Sequence, residues 1–119
     1  MSGLQKDTLD LRVTCSTFAP RAYSLNDEKI TIGRSKSCTI SIGDQYLSRQ
    51  HAEISRVDGQ WFVEDSGSAN GTLLNGERLR ERKLLQPGDR ITIGDNEIVV
   101  MSDDGPAMSA VWIPGERVS

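Results

Sequence analysis

The sequence predicts an all-β fold in which about ten or eleven short strands form a sandwich of two packed sheets. Apolar residues alternate with polar residues at a period of two along most of the chain, and turn residues interrupt this alternation at short intervals. No segment carries an apolar stripe of the helical period over roughly ten residues. Two packed sheets also accommodate an odd number of strands easily, which favours a sandwich over a barrel.

The strand pattern recurs about ten times along the chain. It is clearest in the first segment, where Leu9, Leu11 and Val13 alternate with polar residues and indicate a strand with one buried face. We expect strands at residues 9–15, 22–25, 28–32, 39–42, 51–57, 60–64, 72–74, 77–79, 90–93 and 97–101.

Two of the connections have the composition of two-residue hairpin turns. Asp58-Gly59 and Asn75-Gly76 each separate two strand segments. Asn, Asp and Gly tolerate the positive φ angles that tight hairpin turns require, so both pairs predict hairpins. We expect Asp95-Asn96 to separate the last two strands in a similar way.

Length and composition indicate one folded domain. The chain has 119 residues, of which 36% are hydrophobic, and this content is ordinary for a globular protein. We expect an N-terminal extension at residues 1–8, the sandwich at residues 9–101 and a C-terminal linker or tail at residues 102–119. Within the tail, the apolar segment 111–113 either docks on the sandwich or begins a segment that leads elsewhere.

The composition also disfavours several functional classes. A formal net charge of -3 argues against nucleic acid as a partner. No apolar run approaches the ~20 residues of a membrane span, and no signal-peptide segment follows Met1–Lys6, so we expect a cytoplasmic protein without a membrane partner. Two cysteines are too few for a disulfide scaffold or a four-ligand zinc site, and we expect neither a metal nor a cofactor.

The loop after the third predicted strand, Gly33-Arg34-Ser35-Lys36-Ser37, is a candidate anion site. The guanidinium fork of an arginine suits a phosphate group bidentately. Gly33 frees the backbone, and successive backbone N–H groups could form an anion nest together with the Ser35 hydroxyl. Taken alone, the motif favours a solvated surface turn, because Gly-Arg-Ser is a weak signal.

A second loop adds Ser48, Arg49 and His51, the single histidine of the sequence. A serine near a histidine suggests a hydrolase, but nucleophilic catalysis needs the two side chains in contact, together with an orienting group and an oxyanion hole. The spacing of Ser48 and His51 at the start of a strand predicts opposite faces, and no Gly-x-Ser-x-Gly elbow is present. We therefore expect no enzymatic activity, and a partly buried His51 that pins the loop by hydrogen bonds.

The third loop, residues 65–72, is longer than a hairpin turn needs. Its Asn70 carries an amide that can donate to, and accept from, the backbone of another chain. Between Gly33 and His51, Arg34, Lys36 and Arg49 outnumber Asp44, so an acidic chain concentrates positive charge in this stretch.

In their order and spacing these motifs resemble a forkhead-associated (FHA) domain, over about Leu11 to Met101. The resemblance is carried by Gly33-Arg34-Ser35, Ser48-Arg49-Gln50-His51, Gly67-Ser68-Ala69-Asn70-Gly71-Thr72, Asn75-Gly76 and Leu85-x-x-Gly88-Asp89-x-Ile91-x-Ile93-Gly94. It implies a β-sandwich of about eleven short, mostly antiparallel strands in two sheets, whose loops at one end bind a phosphothreonine peptide. It also implies a non-catalytic module that reads the output of Ser/Thr kinases.

Position by position, the resemblance implies a set of phosphopeptide-binding residues. Arg34 and Ser48 correspond to the main phosphate ligands of the family, and Arg49 to a position that often contacts the phosphate or the peptide backbone. Ser35 adds a contact beside Arg34, and Asn70 corresponds to the residue that holds the peptide backbone just past the phosphothreonine.

The resemblance further implies that Gly33, His51 and Gly71 shape the site without touching the ligand. Ala69 departs from the family, which commonly has Thr or Ser at this position with a side chain that helps to bind the phosphopeptide. The departure predicts one missing ligand contact.

We therefore expect a phosphothreonine-dependent binding module, the FHA portion of a larger regulatory protein, with a phosphothreonine-containing partner and an upstream Ser/Thr kinase. A phosphothreonine brings roughly -1.5 to -2 charge and three acceptor oxygens, which suits the concentration of positive charge. The alternative is a module of the same fold that binds unphosphorylated protein through a sheet face. The presence of Arg34, Ser48 and Asn70 together favours the first.

Overall fold

The computed structural model describes residues 8–15 and 17–101, and this part of the chain is all-β. The predicted tail lies outside the described residues, as does all of the predicted N-terminal extension except Thr8. The strands are β1 (Leu9–Thr14), β2 (Arg21–Leu25), β3 (Lys29–Gly33), β4 (Ile40–Ser41), β5 (Ala52–Val57), β6 (Gln60–Asp65), β7 (Leu73–Leu74), β8 (Glu77–Arg78), β9 (Lys83–Leu84), β10 (Arg90–Ile93) and β11 (Asn96–Val100).

The strands form two sheets that pack face to face as a sandwich. A 6-stranded sheet has the order β2-β1-β11-β10-β7-β8, and a 5-stranded sheet has the order β4-β3-β5-β6-β9. Every pairing is antiparallel except that of β3 with β4. The expectation of a mostly antiparallel sandwich in two sheets is thus confirmed.

The two predicted hairpin turns are present, and their backbone angles explain them. Asp58 and Gly59 have φ angles of 54° and 79°, and Asn75 and Gly76 have φ angles of 53° and 87°. Positive φ at both central residues is the condition for a type I′ turn, whose twist matches that of the flanking strands.

Two expectations about the strands were wrong. Strand β9 had not been predicted, because Lys83 and Leu84 are both exposed and show no alternation. The turn before β11 is Gly94-Asp95, with Gly94 at a φ angle of 61°, and not Asp95-Asn96. Asn96 instead opens β11 opposite Ile93, and its side chain is buried.

The core lies between the two sheets and is built from the inward positions of the alternating strands. Trp61 is fully buried, so its large apolar surface is removed from water. The other core residues are Leu9, Leu11, Val13, Ile30, Ile32, Ile40, Ile42, Leu47, Ala52, Ile54, Val63, Leu79, Leu85, Ile91, Ile93, Ile98 and Val100. Since both sheets are anchored in this core, the loops at their ends start from fixed positions.

Three loops meet at one end of the sandwich. They are the β3–β4 loop (residues 34–39), the β4–β5 loop (residues 42–51) and the β6–β7 loop (residues 66–72). Backbone hydrogen bonds join the first two, and side chains join the second to the third. Within the described residues there is no helix of the length and apolar character that would cross a membrane.

Candidate functional site

Gly33 determines how closely the first two loops approach each other. A Cβ atom at this position would overlap the carbonyl oxygen of Arg49 and would lie 2.9 Å from the carbonyl carbon of Arg49 and 3.0 Å from the backbone nitrogen of His51. Gly33 does not have a positive φ angle, so space and not backbone freedom requires glycine here. The role that the sequence suggested for Gly33 is corrected in this respect.

Arg34 is oriented by the β4–β5 loop. Its backbone N–H donates to the carbonyl of Ser48 at 3.0 Å, and its side-chain Nε donates to the carbonyl of Leu47 at 3.1 Å. These bonds fix the backbone and the Nε atom of Arg34. The residue as a whole is exposed. Within the described part of the chain the two terminal guanidinium nitrogens have no hydrogen-bond partner, so they can present a fork to an anion.

The β3–β4 loop forms a hydrogen-bonded turn and not an open anion nest, the two possibilities that its sequence left open. The N–H group of Ser35 donates to the carbonyl of Arg49 at 3.1 Å, and that of Cys38 donates to the carbonyl of Ser35 at 3.0 Å. The Ser35 hydroxyl accepts from the Ser37 N–H at 3.2 Å and lies 2.8 Å from the Ser37 hydroxyl. The Ser35 hydroxyl therefore shapes a turn, and a contact with a ligand stays a prediction.

Ser48 connects the second loop to the third through its side chain. Its Oγ accepts a hydrogen bond from the backbone N–H of Ala69 at 3.0 Å. A hydroxyl has one O–H donor besides its acceptor lone pairs, so Ser48 keeps its own proton for a ligand oxygen.

His51 is fully buried and joins the same two loops from below. Its Nδ1 accepts from the Ser48 backbone N–H at 3.1 Å, and its Nε2 lies 2.7 Å from the carbonyl oxygen of Gly71. An N–H can only donate and a carbonyl can only accept, so these partners select the neutral tautomer with the proton on Nε2. His51 pins the loops, as the sequence suggested, but it is more deeply buried than expected.

We expected Ser48 and His51 to point to opposite faces of one strand, and this was wrong because neither residue lies in a strand. Strand β5 begins at Ala52, so neither residue lies in a strand, and they are in contact through the backbone of Ser48. Both ring nitrogens of His51 are engaged, and the Ser48 hydroxyl contacts Ala69 instead. This arrangement does not place a base against a nucleophile.

The carboxylate of Asp65 organises the β6–β7 loop. One oxygen accepts from the N–H groups of Gly67 and Ser68, both at 2.9 Å. The other accepts from the hydroxyls of Ser68 at 2.5 Å and of Thr72 at 2.6 Å. Burial raises the pKa of Asp65, but these hydrogen bonds lower it more, so its pKa lies below the ordinary value and the group is ionised at neutral pH.

Asn70 projects from the loop that Asp65 holds. Its Nδ2 donates to the carbonyl of Tyr46 at 2.6 Å, and the side chain is exposed. Among the described residues nothing donates to its Oδ1, which leaves that oxygen and one N–H for a peptide backbone. Ala69 beside it is also exposed and contributes only its backbone.

Gly71 requires glycine for two reasons. Its φ angle is 85°, and a Cβ there would lie 3.0 Å from the guanidinium carbon of Arg78. Its carbonyl oxygen lies 2.7 Å from Nε2 of His51, so Gly71 helps to hold the β6–β7 loop, and its part in shaping a ligand site stays a prediction.

The structure thus brings Arg34, Ser48 and Asn70 to one surface, with Gly33, His51 and Gly71 beneath it. Arg49 contributes its carbonyl to the framework, while its side chain is exposed. In the described ranges no group of His, Cys, Asp and Glu side chains has an arrangement that could hold a metal ion.

Sequence reasoning missed the groups that orient these residues. The carbonyls of Leu47 and Tyr46 position Arg34 and Asn70, and carbonyls carry no signal in a sequence. The Asp65 network did have a signal, because an aspartate shortly before Gly and Ser is typical of local side-chain-to-backbone hydrogen bonds.

Comparison with known proteins matches the same part of the chain. The family model of the FHA domain matches residues 30–94. The FHA domain-containing protein FhaB of Mycobacterium tuberculosis (strain H37Rv) is 32% identical over 88 residues, which are 74% of this chain and 57% of that protein. The chain therefore matches little more than half the length of this relative.

Solved structures agree with the fold. The solution structure of the FHA domain of an Arabidopsis thaliana hypothetical protein has a TM-score of 0.76 and 31% identity, covering 92% of this chain and 96% of that one. The N-terminal FHA domain of Rad53p from S. cerevisiae, solved in complex with a phosphothreonine peptide, has a TM-score of 0.69 and 27% identity over 80% of this chain and 94% of that one. The chain belongs to the FHA domain family.

Proposed function

We propose that this domain is a phosphothreonine-dependent peptide-binding module and not an enzyme. One observation carries the proposal. The loops that join at one end of the sandwich hold Arg34 and Ser48 in place, while the guanidinium fork of Arg34 and the hydroxyl proton of Ser48 stay available to a ligand. Asn70 stands on the adjoining loop with an amide available to a peptide backbone. Residues that can bind a phosphate group and a residue that can bind a peptide backbone thus lie on one surface.

The chemistry of this surface matches a phosphate monoester. The group carries roughly -1.5 to -2 charge at neutral pH, and Arg34, Arg49 and Lys36 supply exposed cations. Hydrogen bonds between charged partners contribute about 1.5–3 kcal/mol each. After the cost of association is subtracted, a few such bonds support micromolar affinity, about -8 kcal/mol.

The Rad53p domain bound to a phosphothreonine peptide supports the same assignment for this chain. We further propose that Ser35 and Arg49 contribute contacts to the ligand, that the ligand comes from a protein phosphorylated by a Ser/Thr kinase, and that residues 9–101 are the FHA portion of a larger regulatory protein. Both cysteines, Cys15 and Cys38, are free, which agrees with a reducing cytoplasmic location.

A degenerate peptide library with a central phosphothreonine tests this function. The same library with threonine and with phosphoserine provides the controls, and binding is measured by fluorescence anisotropy. We expect binding of the phosphothreonine library and a large loss with threonine. Equal binding of the unphosphorylated library would instead support the alternative, a phospho-independent interaction module.

A further inference from the structure

Strand β2 (Arg21–Leu25) forms one edge of the 6-stranded sheet. It pairs with β1 on one side, and among the described residues no strand pairs with its other side. An edge strand carries N–H and C=O groups that have no partner in the sheet, and these groups can pair with a further strand. The register of the neighbouring strands identifies the groups that β2 offers at its free side.

The backbone groups of Ala22 and Ser24 point away from β1. The N–H of Met101 donates to the carbonyl of Asp10 at 2.9 Å, so the backbone groups of Asp10 face β11. Because successive residues of a strand direct their backbone groups to opposite sides, the odd-numbered residues of β1 bond to β2, where they lie opposite odd-numbered residues. The N–H and C=O groups of the two even-numbered residues of β2, Ala22 and Ser24, therefore point outward.

No side chain of β2 protects this edge. Natural edge strands are commonly protected by a lysine, a proline or a β-bulge. The segment Arg21–Leu25 contains neither lysine nor proline, and its register with β1 runs from Leu9 opposite Leu25 to Val13 opposite Arg21 without a bulge. Both outward residues are exposed, small and uncharged, so a second strand can approach closely.

The sequence around Ser24 is complementary to itself. In an antiparallel pair of two copies centred on Ser24, Arg21 of one copy lies opposite Asp27 of the other. Both residues are exposed, and neither forms an ion pair within the part of the chain that the structure describes. In the same register Tyr23 lies opposite Leu25, and both are apolar side chains that the core covers only in part. A two-fold axis through the centre makes each of these contacts twice.

We propose that two copies of this chain associate through their β2 edges, in an antiparallel pairing centred on Ser24. The Ser24 residues of the two copies exchange both N–H···O=C bonds, and the two 6-stranded sheets become continuous. A second copy is the occupant because opposite charges and an apolar pair recur within one segment of the same sequence. One short strand from each copy is less than a standard interface of about 1,600 Å², so the dimer is weak. No residue of the proposed peptide site lies on β2, and the inference is independent of the proposed function.

Sedimentation velocity of the full chain, from about 10 μM to 1 mM, tests the proposal. We expect the weight-average sedimentation coefficient to rise from the monomer value towards that of a dimer. Ser24→Pro removes the N–H donors of both central bonds, at a position where the N–H faces away from the sheet and proline is tolerated. Its dimer dissociation constant should be about tenfold higher or more. The matched control Ser24→Ala keeps the N–H and should dimerise as the wild type does, and circular dichroism checks the fold of both variants.

A charge exchange tests the register by a route that leaves the backbone intact. Arg21→Glu and Asp27→Lys each place like charges opposite one another, and each should raise the dissociation constant about threefold or more. The double variant reverses both charges, so it should dimerise as the wild type does.

Three results would overturn the proposal. The first is a chain that stays monomeric up to about 1 mM, which would leave the β2 edge to a strand of another protein. The second is a dimer that persists unchanged in a folded Ser24→Pro variant, because the copies would then associate through another surface. The third is a double charge variant as weak as the single ones, because Arg21 and Asp27 would then not face each other.

Discussion

The substitution Gly33→Ala tests whether the close approach of two loops builds the phosphate site. The added Cβ would overlap the carbonyl oxygen of Arg49 and would lie 2.9 Å from its carbonyl carbon. These are backbone atoms, so no side-chain rotation relieves the contact, and the β4–β5 loop must move away from β3. Such a movement displaces Arg34, whose N–H is bonded to Ser48 in that loop.

The expected loss of stability follows from this geometry. Overpacking in a tight region costs about 1–3 kcal/mol. The Arg49 carbonyl also accepts from the Ser35 N–H at 3.1 Å and from the Cys38 thiol at 3.2 Å, and weakening each bond costs about 0.5–1.5 kcal/mol. Alanine recovers about 0.4–1 kcal/mol by restricting the unfolded chain. The middle of these ranges gives a net loss of about 3 kcal/mol, which corresponds to a fall in Tm of about 12–24 °C for a domain of this size.

Thermal and urea denaturation measure this change, and Gly43→Ala is the matched control. A Cβ at Gly43 meets nothing within 4 Å, and the φ angle of Gly43 is not positive, so we expect a change of at most about 0.5 kcal/mol. Peptide affinity should fall in Gly33→Ala and not in Gly43→Ala. Equal Tm values for the two variants would refute the claim that the approach at Gly33 is tight.

Three further predictions concern the loops that meet at the site. His51→Ala should lower Tm and weaken peptide binding together, because the buried ring joins Ser48 to Gly71; loss of binding at unchanged Tm would contradict a purely structural role. The pKa of Asp65 is lowered in the folded state, so its stabilisation is present above the unfolded pKa and is lost as the pH falls below about 4. The stability advantage of the wild type over Asp65→Asn, measured by urea denaturation, should therefore be larger at pH 7 than at pH 3, and a constant difference would count against the network. Ala69→Thr restores a hydroxyl at an exposed position, and calorimetry with one phosphothreonine peptide should show about three- to tenfold tighter binding; no gain in a folded variant would mean that the groove is shaped for alanine.

Sequence reasoning predicted those parts of the fold that local chemistry determines. Asp58-Gly59 and Asn75-Gly76 specify tight turns by their own backbone preferences, and the alternation in β5 and β6 specifies a buried face. The two-residue strand β9 could not be predicted, because it exists only through its pairing with Phe62 and Val63 of β6. Asn96 is of a residue type common in turns, but it is the first residue of β11, where its buried amide donates a hydrogen bond to Asp44.

The candidate site was predictable in its residue types and not in its construction. Arg34, Ser48 and Asn70 could be recognised in the sequence because each side chain carries distinctive chemistry. The need for space at Gly33 is a property of two segments that meet only in the folded chain, and a sequence cannot distinguish it from a need for backbone freedom. For the same reason the sequence could not distinguish an anion nest from a turn in the β3–β4 loop, because the N–H groups of Arg34 and Ser35 find their partners in the β4–β5 loop.

Titration of a phosphothreonine peptide against the wild type and Arg34→Ala tests directly whether Arg34 binds the phosphate group. Arg12→Ala is the control, since it removes the same charge from an exposed position on β1, which belongs to the sheet that does not contain β3, β4 and β5. We expect Arg34→Ala to lose about 2–4 kcal/mol of binding free energy, the loss typical when one partner of a close charge pair is removed, with an unchanged fold. Arg12→Ala should bind as the wild type does, and Arg34→Lys should recover only part of the loss, because an ammonium group lacks the guanidinium fork. Unchanged affinity in a folded Arg34→Ala variant would contradict the assignment of Arg34 as a phosphate-binding residue.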